Sequence, residues 1–161
     1  MKDVVTMISL DTSSVSTGWA VWINGKLDVH GVINIKNIKD DKHAIMTNKI
    51  WALLENYQPD IVVVEETSVT TNAVTQRMLT QITGTVYTWA IIHGKEYHAL
   101  RPSQWRSKVK PSDMVIPRKR KEQKQWSVNR AKELLGVEVN DDEADALLIG
   151  KAYMSYFGIS I

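Results

Sequence analysis

The sequence Gln58-Pro-Asp-Ile-Val-Val-Val-Glu-Glu66 contains a helix break followed at once by a strand that is apolar on both faces. Proline cannot continue a helix, so a helix that precedes this stretch is expected to end at 58–60. Residues 61–64 are all β-branched, and an uninterrupted run of this kind is typical of an interior parallel strand. The stretch therefore predicts a sheet covered by helices, with Glu65 at the carboxyl end of a central strand.

Upstream of this strand, the pattern predicts three antiparallel strands and one helix. Short apolar or alternating runs over 4–10, 19–23 and 27–35 indicate the strands. Asn24-Gly25 joins the second and third strands and is a strong hairpin signal, because both turn positions require positive φ. The apolar residues of 44–57 are spaced as on one face of an amphipathic helix.

Downstream, the chain alternates between predicted helices and one more strand. We expect helices over 72–93, 121–135 and 140–157, a strand over 97–100, and a proline-interrupted loop over 111–117. Gly136 is a natural helix C-cap, and Asn140 with Glu143 has the spacing of a capping box. The predicted fold is a single α/β domain over 1–161, whose mixed five-stranded sheet has three antiparallel and then two parallel strands, flanked by helices.

Charge is strongly segregated along the 161 residues, although the formal net charge is only +2. Residues 101–132 contain eleven Lys or Arg and two acids, a net of +9, which leaves −7 on the remainder. Such a basic segment suggests a polyanionic partner, namely nucleic acid. Trp105 and Trp126 lie inside it, where they could stack on bases. The predicted DNA-binding residues are Arg106, Lys108, Lys110, Arg118, Lys119, Arg120, Lys121 and Lys124.

The chain has no cysteine, which excludes disulfides, thiolate metal sites and cysteine nucleophiles. That composition fits a reducing, cytoplasmic setting. No run approaches the roughly 18 apolar residues that indicate a membrane span, so no membrane association is expected.

Acidic residues occur where separate predicted elements are expected to meet. Asp11 follows the first strand and Glu65 the fourth, and parallel neighbours would bring both to one edge of the sheet. Asp142 and Asp145 lie three apart on the last helix and share a face. Each acid alone also suits a turn or a helix cap. Four converging carboxylates, however, repel one another, and oxygen ligands without His or Cys favour Mg²⁺ or Mn²⁺.

Three segments together resemble the RuvC family of Holliday-junction resolvases, within the ribonuclease H-like superfamily. Leu10-Asp-Thr-Ser-Ser-Val-Ser-Thr-Gly18 is similar to that family's opening motif, although Thr12-Ser13 replaces its Pro-Gly. In 58–65, Glu65 lies five residues after Asp60, as in the family's second motif. Residues 142–147 are similar to the closing Asp-x-x-Asp-Ala-Leu. Ser68 stands where the family has an aromatic residue, and Glu66 where it has a neutral one.

The resemblance implies an Mg²⁺-dependent endonuclease that resolves four-way junctions and related branched DNA by paired symmetric nicks. It implies that two Mg²⁺ ions, for which Mn²⁺ can substitute, are bound by Asp11, Glu65, Asp142 and Asp145. Lys124 corresponds to a basic catalytic or phosphate-contacting residue, and Arg106 is similar to a second. Family members are two-fold dimers through the second long helix, which makes Met78, Ile82 and Trp89 candidate interface residues.

Three alternatives stay open from the sequence. A ribonuclease H acting on RNA–DNA hybrids would share the fold and the metal chemistry. A binding module could recognise branched DNA without cutting it. The loop at 11–18 also resembles a phosphate-contacting hairpin of sugar kinases and actin-like ATPases, but those proteins need a second lobe and a further glycine-rich motif, which 161 residues with eight glycines do not provide.

Overall fold

The strands of the computed structural model, which describes residues 4–68 and 72–158, form one mixed sheet. Their bounds are β1 (Thr6–Asp11), β2 (Ser16–Ile23), β3 (Lys26–Asn34), β4 (Ile61–Glu65) and β5 (Glu96–Leu100). The order across the sheet is β3-β2-β1-β4-β5. Strand β1 pairs antiparallel with β2 and parallel with β4, and β4 pairs parallel with β5. The predicted arrangement of three antiparallel strands followed by two parallel ones is confirmed.

Helices cover both faces of this sheet. Their bounds are α1 (Lys42–Tyr57), α2 (Ala73–Ile92), α3 (Pro102–Val109), α4 (Arg120–Leu135) and α5 (Asp141–Phe157). One core lies between the sheet and α1 and α2, and the other between the sheet and α3, α4 and α5. Within the described ranges, no helix combines the length and apolar character needed to cross a membrane.

Helix α3 is absent from the sequence-based prediction. It has eight residues, and five of them are polar or charged. The sequence therefore contains no long apolar periodicity that would indicate a helix here. Its signals are local: Pro102 stands in the first turn, where its missing N–H costs nothing. Trp105 and Val109 are four residues apart and bury the same face.

The local turn signals are confirmed except for one cap. Asn24 and Gly25 both have positive φ, and Gly136 ends α4 at φ 69°. The side chain of Asn140 accepts a hydrogen bond from the backbone N–H of Glu143, as a cap should. The Glu143 carboxylate does not complete the capping box, because it pairs with Nδ1 of His30 at 2.7 Å.

Alternate residues of the central strands face opposite cores. Ile8 and Leu10 of β1 pack toward α1 and α2, whereas Met7 packs toward α5. In β4, Val62 and Val64 face α1 and α2, and Val63 faces α5. The side-chain period of two therefore directs positions 11 and 65, at the strand ends, to the α5 side.

A buried hydrogen-bonded chain attaches α5 to the sheet. The Ser9 hydroxyl donates to the carbonyl oxygen of Ala146 at 2.7 Å. The indole Nε1 of Trp22 donates to the same Ser9 oxygen at 3.0 Å. Ser9 is fully buried, so both bonds form away from water, where an unpaired group would cost about 1–3 kcal/mol. The chain fixes both the rotation of α5 and its position along β1.

Two glycines allow α5 to approach this closely. A Cβ at Gly18 of β2 would lie 1.9 Å from the carbonyl oxygen of Asp142, and one at Gly150 would lie 2.5 Å from Nε1 of Trp22. Gly18 is also the residue paired with Asp11 across β1 and β2. The first turn of α5 therefore lies directly on the strand position opposite Asp11.

We expect Gly18→Ala to lower the free energy of unfolding by about 3 kcal/mol or more, because the methyl group can be accommodated only by separating α5 from β2. Thermal and urea denaturation measure the loss. Gly84→Ala in α2 is the matched control, since a Cβ there meets nothing within 4 Å. That change should raise stability by about 0.5–1 kcal/mol. Equal effects of the two substitutions would contradict the packing argument.

Candidate active site

Four carboxylates converge where β1 and β4 end beneath the start of α5. Leu10 pairs with Val64 in the parallel ladder, so Asp11 and Glu65 end neighbouring strands at the same level. Asp142 and Asp145 descend from the first turns of α5 onto the same edge. The charges of Glu65, Asp142 and Asp145 all act on Asp11. The structure thus brings together the four acids that the sequence predicts to meet.

Ionisation of these acids together is costly for the chain by itself. Burial, followed by the charges of Asp145, Glu65 and Asp142, raises the pKa of Asp11 well above its usual value. Burial also raises the pKa of Glu65. Burial raises the pKa of Asp145 to about 7, with the charge of Glu65 adding to the effect. Protons, Arg106 and any bound cation would each lower this cost near neutral pH.

Neighbouring polar groups engage some of these oxygens and leave others without a partner. The indole Nε1 of Trp105 donates to Glu65 at 2.7 Å, and the Ser16 hydroxyl donates to Asp142 at 2.5 Å. Ser127 lies beside Asp145 and lowers its pKa, but their geometry falls short of a hydrogen bond. Oδ1 of Asp145 and Oγ of Ser127 are consequently buried without a partner.

The four carboxylates have the chemistry to bind a hard divalent cation. Their side chains, however, do not point at a common position that an ion could occupy. Four carboxylates without sulfur or imidazole ligands suit Mg²⁺ or Mn²⁺, and the orphaned Asp145 oxygen is an acceptor that lacks a donor. Within residues 4–68 and 72–158, no three His, Asp or Glu side chains are grouped tightly enough to hold an ion as they stand. The bonds from Trp105 and Ser16 hold two of the carboxylates in other contacts.

Arg106 is the basic residue most closely associated with the carboxylates. Its charge lowers the pKa values of Asp11, Glu65 and Asp145 against the effect of burial. Its guanidinium carbon lies 4.8 Å from the centre of the Trp105 ring. Its Nε is buried without a hydrogen-bond partner, so a donor beside the acids is unused.

Lys124 is held by an acid that the sequence-based prediction did not assign to the site. Its Nζ forms an ion pair with Asp141, the first residue of α5. That hydrogen bond raises the pKa of Lys124, and the charge of Asp142 adds to it. Burial disfavours the charged form of Asp141, but Lys124 outweighs burial and lowers the pKa of Asp141.

The other predicted DNA-binding residues lie on α3, on α4 and on the segment between them. Arg120 is close enough for its charge to lower the pKa of Glu65. Lys108 lies over the ring of Tyr156, and Lys110 donates to the carbonyl oxygen of Met114 at 2.8 Å. Arg118 lines a cavity shared with Arg106, Lys119 precedes the first turn of α4, and Lys121 lies beside Lys124.

Burial corrects two of the interpretations made from the sequence. Trp105 is 0% exposed and Trp126 is 6% exposed, and their rings stack on each other, so neither is available to stack on bases. On α2, Ile82 and Trp89 are both fully buried in the core of the chain, so a second chain cannot contact them. Met78 of the same helix is half-buried.

The structure adds residues that the sequence did not assign to the site. Trp105, Ser16 and Ser127 contact or adjoin the carboxylates, and Asp141 holds Lys124. From the sequence it stays open whether Asp141, which directly precedes Asp142, assists the carboxylates. Ser16 belongs to the opening motif, whereas Trp105 and Ser127 come from α3 and α4, and only the packing of those helices reveals their role.

Known proteins share this fold. The family model of the crossover junction endodeoxyribonuclease RuvC matches residues 7–152. Thermus thermophilus RuvC in complex with Holliday junction substrate superposes with a TM-score of 0.71 at 15% identity, covering 97% of each chain. The fowlpox virus resolvase, in complex with Holliday junction DNA, gives 0.63 at 15% identity over 95% of this chain and 99% of its own.

A third structure is the yeast mitochondrial Holliday junction resolvase Ydc2, with a TM-score of 0.65, 15% identity, and coverage of 95% of this chain and 79% of its own. A search of curated protein sequences gives no significant match. The mixed sheet and its flanking helices have the ribonuclease H-like fold. The chain belongs to the RuvC family of crossover junction endodeoxyribonucleases, which are metal-dependent enzymes.

We expect Asp145→Asn to stabilise the metal-free protein at pH 8. The folded-state pKa of about 7 exceeds the ordinary aspartate value of 3.8, so Asp145 costs the native state stability increasingly as pH rises through that interval. The asparagine removes this cost, and the gain should be about 1–3 kcal/mol at pH 8 and close to zero at pH 4.

Urea denaturation at both pH values, without divalent ions, checks this expectation. Asp40→Asn, on the surface, is the control and should show no such difference. A variant that is no more stable than the wild type at pH 8 would show that the cluster of Asp11, Glu65, Asp145 and Arg106 is already neutralised within the fold.

Proposed function

We propose that the protein resolves four-way DNA junctions and related branched DNA by divalent-metal-dependent hydrolysis of one phosphodiester in each of two strands. The observation that carries the proposal is the buried convergence of Asp11, Glu65, Asp142 and Asp145 beside a strongly basic surface. Membership of the RuvC family and the junction complexes of the Thermus and fowlpox proteins support the choice of substrate. We also propose that 1–161 acts as one nuclease domain in a reducing, cytoplasmic setting.

The four carboxylates would hold two Mg²⁺ ions, with Mn²⁺ as a substitute. When bound, such a pair supplies activation of the attacking water and stabilisation of the leaving oxygen. The chain supplies rigid placement, since Asp11 and Glu65 end paired strands and Asp142 and Asp145 are fixed by the docking of α5. Preorganised carboxylates of this kind need little rearrangement beyond their own side chains.

Basic residues would neutralise the charge of the scissile phosphate. Arg106 reaches the carboxylate cluster and has an unused donor at Nε. Lys124 pairs with Asp141 in the first turn of α5, and the charge of Asp142 also acts on it. A phosphate that either cation reached would receive charge-assisted hydrogen bonds, which strengthen as negative charge develops.

Paired nicks require two sites related by symmetry, and we propose a two-fold homodimer through α2. Because Ile82 and Trp89 lie in the core, we propose that the outward face of α2 forms the contact with the second chain instead. It exposes large apolar side chains, namely Val74, Tyr87, Ile91 and Ile92. An isologous contact of this face would place the two active sites on opposite strands of a junction.

We expect Asp11→Asn and Glu65→Gln to lower the cleavage rate by at least about 100-fold, because even the outer partners of a metal ligand are worth 10–100-fold. Both variants should still bind a four-way junction. Single-turnover cleavage and electrophoretic mobility shift measure the two properties separately. Asp28→Asn, an exposed acid on β3, is the control and should cut normally.

The substrate panel consists of four-way, three-way, duplex and RNA–DNA hybrid molecules, assayed in Mg²⁺ and in Mn²⁺. Preference for the hybrid would assign the protein to ribonuclease H activity. Junction binding without cleavage in either metal would show that the protein is a module that binds branched DNA without cutting it. Full activity of Asp11→Asn would overturn the catalytic role of the carboxylates.

We expect Asp141→Asn to tighten metal-free junction binding several-fold, because it releases Lys124 to a phosphate. The slope of log K against log salt should steepen by about one. Asp141→Glu, which keeps the ion pair, should resemble the wild type. Glu138→Gln is the matched control, since it frees Lys132 at the opposite end of α4. If Glu138→Gln tightens junction binding as much as Asp141→Asn does, the position of Lys124 has no special role in binding.

A further inference from the structure

Two buried polar atoms without a hydrogen-bond partner lie side by side between α4 and α5. They are Oγ of Ser127, a residue that is 1% exposed, and Oδ1 of Asp145. Ser127 is close enough to lower the pKa of Asp145, yet the pair stops short of a hydrogen bond. An unpaired buried polar group normally costs about 1–3 kcal/mol. One bond from the hydroxyl to the carboxylate would therefore satisfy a donor and an acceptor at once.

The two residues form the second of two contacts between the same helix faces. Lys124 and Ser127 are three residues apart on α4, and Asp141 and Asp145 are four apart on α5, so each pair shares a face. The first contact is the ion pair of Lys124 with Asp141. That ion pair holds the helices together one turn away from Ser127, so the second contact can close by a change of side-chain rotamer without movement of a helix.

The unpaired state of Ser127 is unusual for a hydroxyl inside a helix. Such a hydroxyl commonly donates to the carbonyl oxygen four residues earlier. Thr80, Thr85 and Ser155 all do so. Ser127 makes no such bond. Alanine would fill its place without burying a donor, so packing alone gives no reason for a serine at this position.

A bound cation would change what the carboxylates require from their neighbours. Carboxylates that ligate a metal are usually held by outer hydrogen-bond donors, which fix their orientation. Glu65 receives such a bond from Trp105, and Asp142 receives one from Ser16. Among the residues that the structure describes, no donor bonds to the buried oxygen of Asp145, and the hydroxyl on α4 is the neutral donor beside it.

We propose that Ser127 is a positioning residue for Asp145. Its hydroxyl donates to Oδ1 when Asp145 binds a divalent cation, which leaves the other carboxylate oxygen directed at the ion. The proposal rests on the proposed metal-dependent function and assigns part of the metal site to α4, the helix that also carries Lys124. Ion binding should therefore strengthen the contact between α4 and α5.

Calorimetry and thermal denaturation test this role with the ion alone. Ser127→Ala should bind Mn²⁺ and Mg²⁺ about tenfold more weakly than the wild type, the lower end of the range for an outer partner of a metal ligand. Without divalent ions, the same variant should be at least as stable as the wild type, because alanine removes an unpaired buried donor. A fixed concentration of Mn²⁺ should then raise its melting temperature by less than that of the wild type.

Further variants isolate the hydroxyl. Ser127→Thr keeps it and should bind both ions nearly as well as the wild type. Ser127→Cys, which is similar in size to serine and a weaker donor, should fall between the wild type and Ser127→Ala. Ser155→Ala is the matched control and should not change ion affinity, since this exposed hydroxyl donates to the Lys151 carbonyl within α5.

Three results would overturn the positioning role. Unchanged ion affinity of Ser127→Ala would leave the charge of Arg106 to hold Asp145 without help from the hydroxyl. Equal losses of ion affinity in all three substitutions of Ser127 would show that the shape of the residue matters and its hydroxyl does not. A Ser127→Ala variant that is less stable without ions, and gains as much from Mn²⁺ as the wild type, would have lost an ordinary structural hydroxyl.

Because these measurements use no DNA, the positioning role and the proposed resolvase activity can fail separately. Weaker ion binding by Ser127→Ala, in a protein whose wild type cuts no junction, keeps the positioning role and refutes the resolvase. Normal ion binding by that variant, in a protein whose wild type cuts junctions, refutes the positioning role alone. A wild type that binds neither ion refutes both.

Discussion

The docking of α5 on β1 and β2 is the contact on which the rest of the structure depends. It is specified by a buried chain of three polar groups, from the Trp22 indole through the Ser9 hydroxyl to the Ala146 carbonyl. Gly18 and Gly150 remove the side chains that would hold the helix away. Apolar packing alone would allow α5 to slide or rotate, whereas hydrogen bonds with fixed directions do not. The position of Asp142 and Asp145 relative to Asp11 follows from this one contact.

The fixed position of α5 brings acidic side chains of the helix and of the sheet close together. The native state buries Asp11 and Asp145 and raises their pKa values, which is a cost that the apolar cores on both faces of the sheet must offset. Arg106 reduces the cost from within, since its charge opposes the shift at three of the acids. The cluster is consequently poorly satisfied without a cation, which is a common property of sites that bind one.

Most of the fold could be predicted because its signals are local. The β-branched run at 61–64 indicated a strand covered on both faces, and the Asn24-Gly25 turn indicated the hairpin. The convergence of Asp11 and Glu65 followed from the rule that parallel strands end at one edge. Helix α3 was missed because eight mostly polar residues carry almost no periodicity.

Side-chain burial was the harder property to predict. A tryptophan in a basic segment has the same sequence signal whether it faces solvent or the core, and Trp105 and Trp126 face the core. Helix α2 has one apolar stripe that faces the core and another that is exposed. The sequence does not show which of the two faces the core, and the structure places Ile82 in the buried one. The pairing of Lys124 with Asp141 depends on the angle between two helices, which no local pattern contains.

The indole of Trp105 has one further consequence for the geometry of the site. Its edge donates to Glu65, and its face lies under the Arg106 guanidinium. Acid and cation are therefore attached to a single rigid ring that is itself fully buried. The ring acts as a spacer of constant size, so that a carboxylate on the sheet and a cation on α3 keep their separation even when the surface loops around them move.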